Sequence, residues 1–246
     1  MRDGEKLLIK RFEELDERAL SRGCFCYTDF LTLSEQDILL SVRTGAPVCF
    51  SGGFEHAERK VARFGSAGWD EPFPVKTIFV EPLSLKNSEN LCHRVFLGAL
   101  LGCGIRREKT GDIVVDGNCA YVVCVDSVAD YIKENLSQVR HTVVKTSFVR
   151  GIPDSVLPQP HEETMLIASE RLDALISAVY NLSRSESREY FLHGKVFVNS
   201  RLTENAVYRP LEDDVVSVRG LGRFIYCGTV RETQKGKLWV AVKIYK

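Results

Sequence analysis

Hydrophobic positions recur along this chain with a helical period in some stretches and a strand period in others. Leu7, Leu8, Phe12 and Leu15 share one helical face. A second helix is expected from Ser34, with Asp37 as the reciprocal partner of a capping box, to Gly45 ahead of Pro47. Residues 47–50 read as a short strand closed by Ser51-Gly52-Gly53, and 55–63 as another helix. The middle of the chain alternates more clearly. It predicts a strand over 75–81, a short apolar helix over 95–101 stopped by Gly102, and strands over 112–115 and 120–125 around Asp116-Gly117, a hairpin dipeptide. Asp126 is placed to cap a helix reaching Leu136, with Val128, Ala129 and Ile132 on one face, before a last strand over 142–149.

That order, βαββαβ, is the ferredoxin-like split motif, which serves RNA-binding domains and many unrelated ones. Further on, Leu172, Leu175, Ile176 and Val179 follow the i, i+3, i+4, i+7 rule, so 170–180 is an amphipathic helix. Asn181-Leu182 turns the chain, and Ser183 caps a second helix with Glu186 at the reciprocal position. Gly194 ends that helix, after which 195–199 and 215–218 alternate as strands, the latter entered through Asp213-Asp214. Three prolines between Gly151 and Pro160 exclude a helix or an interior strand there. The expected class is α+β in three small modules. They are an N-terminal α/β module (1–74), a central ferredoxin-like module (75–150) and, after a linker (151–164), a C-terminal module (165–246), with a softer boundary near 68–74.

Composition adds less. Over 246 residues, 33 Lys and Arg balance 33 Asp and Glu, and no apolar run is long enough for a transmembrane helix. The charged start, MRDGEKLLIK, does not read as a signal peptide, and eight irregularly spaced cysteines read as reduced intracellular thiols, with Cys24, Cys26 and Cys92 expected to be buried, so the cytoplasm is the expected location. Charge is unevenly distributed: residues 165–246 hold 13 basic and 9 acidic residues, against 20 and 24 in the remainder. A basic end on an acidic body fits a polyanionic partner.

The helix-turn-helix and its small sheet resemble the S-four (alpha-L) RNA-binding domain in RLDALIS (171–177), LSRSESREYFLHGKVFVN (182–199) and EDDVVSVRGLGR (212–223). Asp213 stands where that family usually has glycine; aspartate tolerates the left-handed region, so the turn is expected to survive. With FSGGFEHAERK (50–60), HRVFLGALLGCGIRREKTGDIVV (93–115) and SVRGLGRF (217–224), the whole chain resembles the YlmH family of bacterial RNA-binding proteins. The resemblance implies an RRM-like central module and binding to ribosomal RNA on the large subunit, with tRNA as a further partner. It also implies a role in quality control of stalled peptidyl-tRNA complexes. A monomer without membrane or small-molecule partner is expected.

The residues themselves support an RNA contact on the C-terminal module. Arg184 and Arg188 share a helix face where both guanidiniums can reach successive phosphates, and the capped start of that helix offers amides to an anion. Arg171, Ser183, Lys195, Asn199, Arg219 and Arg223 complete the candidate surface, the last two bracketing Gly-Leu-Gly. His93, Arg94, Arg106, Arg107 and Lys109 form a second candidate face on the central module, while Arg59 and Arg63 read as surface charges outside either face.

Sharper chemistries fail. Arg171-Leu172-Asp173 copies the core tripeptide of pseudouridine synthases, yet it lies in a helix start where the aspartate suits the dipole. Gly102-Cys103-Gly104 follows a helix and lacks a third glycine, so no dinucleotide loop is expected. Cys24, Cys26, Cys92 and His93 lack zinc-finger spacing. Tyr121 suits packing better than base stacking, since the RNP1 pattern is missing. No catalytic residue, metal or cofactor is expected. The competing readings are an RNA-modifying enzyme, pseudouridine synthase-like or methyltransferase-like, with an appended S-four domain, and a protein-docking platform.

Overall fold

The structure is a computed structural model describing all residues except 1, 2, 56, 67–70, 85–90, 158 and 246. His56 of the family motif, positions 68–70 of the softer boundary and Pro158 of the linker therefore lie outside the described residues. The chain divides into two compact units, Met1–Leu157 and Pro158–Lys246.

The first unit opens with helix α1 (Asp3–Arg22), which buries Phe12, Leu15 and Ala19. Strand β1 (Cys26–Leu31) follows, then α2 (Leu33–Ser41). The capping box of α2 lies two residues upstream of the expected pair: Thr32 Oγ1 accepts from the Glu35 amide and the Glu35 carboxylate accepts from the Thr32 amide at 2.7 Å. The helix ends at Ser41 rather than Gly45. Strands β2 (Val48–Ser51) and β3 (Lys60–Phe64) complete a three-stranded sheet in the order β1-β3-β2. Strand β3 replaces the helix expected over 55–63. It is the central strand and buries Ala62 and Phe64 on one side and Val61 on the other. Burial on both faces erases the alternation by which a strand is read.

The central module runs β4 (Val75–Pro82), α3 (His93–Gly102), a 3-10 turn (Arg107–Lys109), β5 (Thr110–Asp116), β6 (Cys119–Val125), α4 (Asp126–Asn135), β7 (Gln138–Val139) and β8 (Thr142–Val149). Its strands are antiparallel in the order β5-β6-β4-β8-β7, the ferredoxin-like arrangement with one added edge strand. Phe96, Leu100, Ala129 and Ile132 from the two helices form one core with Ile78, Val80 and Val122 of the sheet. Two local details differ from expectation. The β5–β6 turn is Gly117-Asn118, with Gly117 at φ 56, and Val125 rather than Asp126 occupies the cap of α4. Asp126 lies in the first turn, where the helix dipole favours it.

In the second unit, β9 (Pro160–Ile167), α5 (Leu172–Val179), α6 (Arg184–Leu192), β10 (Val196–Val198), β11 (Arg201–Leu202), β12 (Val215–Val218), β13 (Gly222–Glu232) and β14 (Leu238–Tyr245) follow in sequence. The sheet order is β11-β10-β12-β13-β14-β9. Residues 160–164, read above as linker, form the first half of edge strand β9; a proline that cannot serve an interior strand is tolerated at the start of an edge. Leu172, Leu175, Ile176 and Phe191 close over Val196, Val216, Phe224, Val240 and Val242. The turns follow the sequence closely: Asn181 has φ 53, Gly194 φ 61, and Asp213 holds its left-handed place at φ 70.

Candidate nucleic-acid interface

The capping box of α6 forms as read. Ser183 Oγ accepts from the Glu186 amide at 3.2 Å, and the Glu186 carboxylate accepts from the Ser183 amide at 2.8 Å. These bonds hold the Glu186 carboxyl below its ordinary pKa. A carboxylate thus already sits at this helix start, which revises its reading as an open anion site and assigns Ser183 to capping. Arg184 is exposed and makes no hydrogen bond or ion pair with any described residue.

Arg188, one turn on, is held differently. Asp173 is 2% exposed, and it receives Arg171 through Nε and Nη2 at 3.0 and 2.6 Å and Arg188 Nε at 3.6 Å. The tripeptide that resembles a catalytic motif is therefore a brace. A buried carboxylate fixes two arginines, one at the cap of α5 and one on α6, and both guanidiniums stay partly open to solvent.

Lys195, Arg219 and Arg223 gather at one end of the sheet. The Arg219 amide donates to the Lys195 carbonyl at 2.9 Å, and Val196 pairs Val218, which pairs Gly222. Each cation lies over a ring: Lys195 over Tyr190 at 5.5 Å, Arg219 over Phe197 at 5.1 Å and Arg223 over Tyr245 at 4.3 Å. Such stacking orients a cation while leaving it charged. Asn199 belongs elsewhere. It sits at φ 51, donates to Asp214 Oδ1 at 2.7 Å and accepts from the Val215 amide at 2.9 Å, inside a knot that also takes the Tyr208 hydroxyl. It is a turn residue. The eight positions thus resolve into a braced helix group, a sheet-end group and two structural residues.

The second candidate face does not hold together. Arg107 Nη1 donates to the carbonyls of Thr110 and Gly111 at 2.7 and 3.0 Å, and burial together with Arg59 pushes its pKa down to about 10. Lys109 Nζ is paired with Asp29 at 2.7 Å. Arg106 reaches Glu108 at 3.3 Å. His93 is at the surface, yet desolvation and then the Arg107 charge press its imidazole below the ordinary value. Arg94 lines a shallow groove between α3 and β7 with Gly98, Gly102 and Arg140.

Arg59 and Arg63 are not surface charges either. Arg59 donates to the carbonyls of Thr110, Phe30 and Arg107 at 3.1, 3.0 and 3.4 Å, and burial lowers its pKa. Arg63 lies over Phe25 and Phe73 at 4.5 and 4.9 Å. Arg59 crosses the seam between the first two modules, where Phe30 and Val61 meet Val114, Val123 and Val125. Glycines make that approach possible: a Cβ on Gly111 would lie 2.6 Å from the Phe30 ring, and one on Gly53, at φ +86, 2.9 Å from Val123.

Tyr121 packs beside Phe79 at 4.8 Å, with Asp116 and Glu81 near its hydroxyl. Among the cysteines, Cys26 and Cys124 are buried, the latter thiol pushed up to about 12 by burial, and Cys49 is exposed; Cys92 is exposed too and Cys24 half-buried, against the expectation that both are buried. Among the described residues no group of three or more His, Cys, Asp or Glu could hold a metal ion, and no helix is long and apolar enough to cross a membrane. The long β13–β14 hairpin lies beyond the elements expected from sequence, although LWVAVKIY alternates and Thr-Gln-Lys-Gly-Lys is a turn signal.

Fold and site together define a mixed α/β protein that joins a ferredoxin-like module to a helix-turn-helix module with a partly solvent-facing basic surface. A family model described as "Putative RNA-binding domain in YlmH" matches residues 85–150. The ribosome-associated protein quality control protein P2 of Bacillus subtilis (strain 168) is 31% identical over 218 residues, which is 85% of this chain and 83% of that protein. A solved structure, the cell division protein ylmH from Streptococcus pneumoniae, shares the fold over 61% of this chain and 93% of its own, with a TM-score of 0.52 and 16% identity. The chain belongs to the YlmH family.

Proposed function

We propose that the protein binds ribosomal RNA on the large subunit and serves, without catalysis, in ribosome-associated quality control of stalled peptidyl-tRNA complexes. The observation that carries this reading is the relative that matches most of both chains and is named for ribosome-associated quality control. The C-terminal module, 165–246, is the proposed main contact, with Arg171, Arg184, Arg188, Lys195, Arg219 and Arg223 facing phosphates. Modules 1–74 and 75–150 join it to the assembly, with tRNA as a second partner. The protein acts as a cytoplasmic monomer with no cofactor. Arg184 supports the phosphate reading, because an exposed guanidinium with no acceptor among the described residues is open to a ligand.

Sedimentation of tagged protein through a gradient, with RNA crosslinks mapped on the fraction that carries it, tests the partner. Co-migration with large subunits and crosslinks from the C-terminal module are expected; protein remaining at the top of the gradient defeats the reading. Mass spectrometry of RNA from cells with and without the gene tests the absence of catalysis. A modified nucleotide lost with the gene and restored by pure protein would make it an enzyme.

A further inference from the structure

Beyond Tyr226, strand β13 pairs with no other strand among the described residues on its β12 side, where Thr229 Oγ1 donates to the Glu170 carboxylate at 2.9 Å, so the far half of the β13–β14 hairpin is a ribbon with β9 as its neighbouring strand. Residues 229–232 and 234–237 are exposed there, carrying Arg231, Lys235 and Lys237 against the single carboxylate of Glu232. The tip is ordered. The Thr233 amide donates to the Lys237 carbonyl at 2.7 Å, the Lys237 amide to Thr233 Oγ1 at 2.9 Å, and Gly236 takes φ 73. Trp239 pairs with Arg231 across the ribbon, the guanidinium 5.4 Å from its ring, and with Leu166 of β9 on the other side, itself 43% exposed.

Charges on an open strand edge guard against edge-to-edge pairing, and the lysines serve that end. Protection does not call for a partly exposed indole at the same place. An aromatic face beside several cations is how proteins hold unpaired nucleotides: the base stacks on the ring, and the adjoining phosphates meet the charges. A pre-formed ribbon offers both with little ordering on binding.

We propose that the β13–β14 hairpin is a second RNA-contacting arm, which stacks an unpaired nucleobase on Trp239 and holds the neighbouring phosphates with Arg231, Lys235 and Lys237. The proposal rests on the RNA-binding reading above and adds a site apart from α6.

Full-length protein carrying Trp69→Phe keeps Trp239 as its one tryptophan. It is titrated with fluorescein-labelled dodecauridylate, anisotropy reporting binding; unlabelled dodecauridylate and polyglutamate are titrated separately while tryptophan emission is followed. Saturable quenching by the oligonucleotide is expected, and Lys235→Ala with Lys237→Ala should weaken binding roughly 3- to 10-fold and flatten the salt slope by about one unit. Arg184→Ala with Arg188→Ala should weaken binding but leave quenching at saturation intact. Anisotropy that rises while emission stays constant, with no effect of the lysine pair, overturns the arm and leaves the RNA reading standing. No anisotropy change at all overturns both. Equal quenching and affinity with polyglutamate makes the arm a site for acidic polypeptide and overturns its assignment to RNA.

Discussion

In the seam of the first unit, Arg59 and Arg107 lie among backbone carbonyls, Arg59 alone donating to three of them. On α6 of the second unit, Arg184 meets no acceptor among the described residues and Arg188 meets one carboxylate at the long distance of 3.6 Å. The side chains are chemically identical; their surroundings differ. A carbonyl end that would otherwise be orphaned in a seam draws in the strongest donor available, and a guanidinium so engaged cannot also serve a phosphate. Counting basic residues therefore does not locate a binding surface. Counting the acceptors left to them does.

The largest expected effects fall on the seam. Phe30 is 1% exposed and presses on Gly111, so Phe30→Ala should cost about 3–5 kcal/mol, read by urea unfolding. A loss below about 1 kcal/mol would mean that the two modules do not stabilise one another. Next comes Arg59→Ala, which takes a charged donor away from three carbonyls, two of them still served by Arg107 and Thr110, and should cost about 2–3 kcal/mol, because hydrogen bonds from a charged donor are worth more than neutral ones. RNA affinity of the protein still folded should change less than twofold. A large loss of affinity at unchanged stability would move Arg59 to the binding surface and undo the comparison.

How far the sequence reveals these two regions differs for a physical reason. Local signals carried the C-terminal module: the Ser183–Glu186 box, Gly194 and the left-handed Asp213 are each settled within a few residues. The ferredoxin-like order was readable because its helices and strands each keep one clear period. Strand β3 was not, since a strand buried on both faces shows no alternation, and β1 went unassigned beside it. The seam was invisible for a deeper reason. Arg59 meets Thr110 and Lys109 meets Asp29 across 51 and 80 residues, and nothing local marks which exposed-looking cation will be enclosed. Asp173 shows the same limit, its dipole role being readable and its grip on Arg188 not.

On the braced helix the expected effects move from stability to binding. Arg184→Ala with Arg188→Ala should shift unfolding by no more than about 0.5–1 kcal/mol, since both side chains are exposed. Affinity for large-subunit RNA should fall, and the slope of log K against log salt should become shallower by roughly one to two units. Titration at three salt concentrations measures it. An unchanged slope leaves this face without a part in binding, and the contrast with the seam would then rest on stability alone.

The smallest effect separates the two arginines from each other. Arg184→Ala removes a charge with no partner among the described residues, so melting should not move, and the salt slope should drop by about one unit. Arg188→Ala removes the same charge but also one of the two cations facing buried Asp173, leaving Arg171 as the remaining partner. It should lose a few tenths of a kcal/mol, roughly the size of a partly exposed ion pair, besides its share of the slope. Adding Asp173→Asn to each single variant closes a double-mutant cycle. Coupling should appear with Arg188 and be absent with Arg184. Equal coupling for both would show that Arg184 also reaches the brace in solution, and that the distinction between a committed arginine and a free one is finer than a single turn of α6.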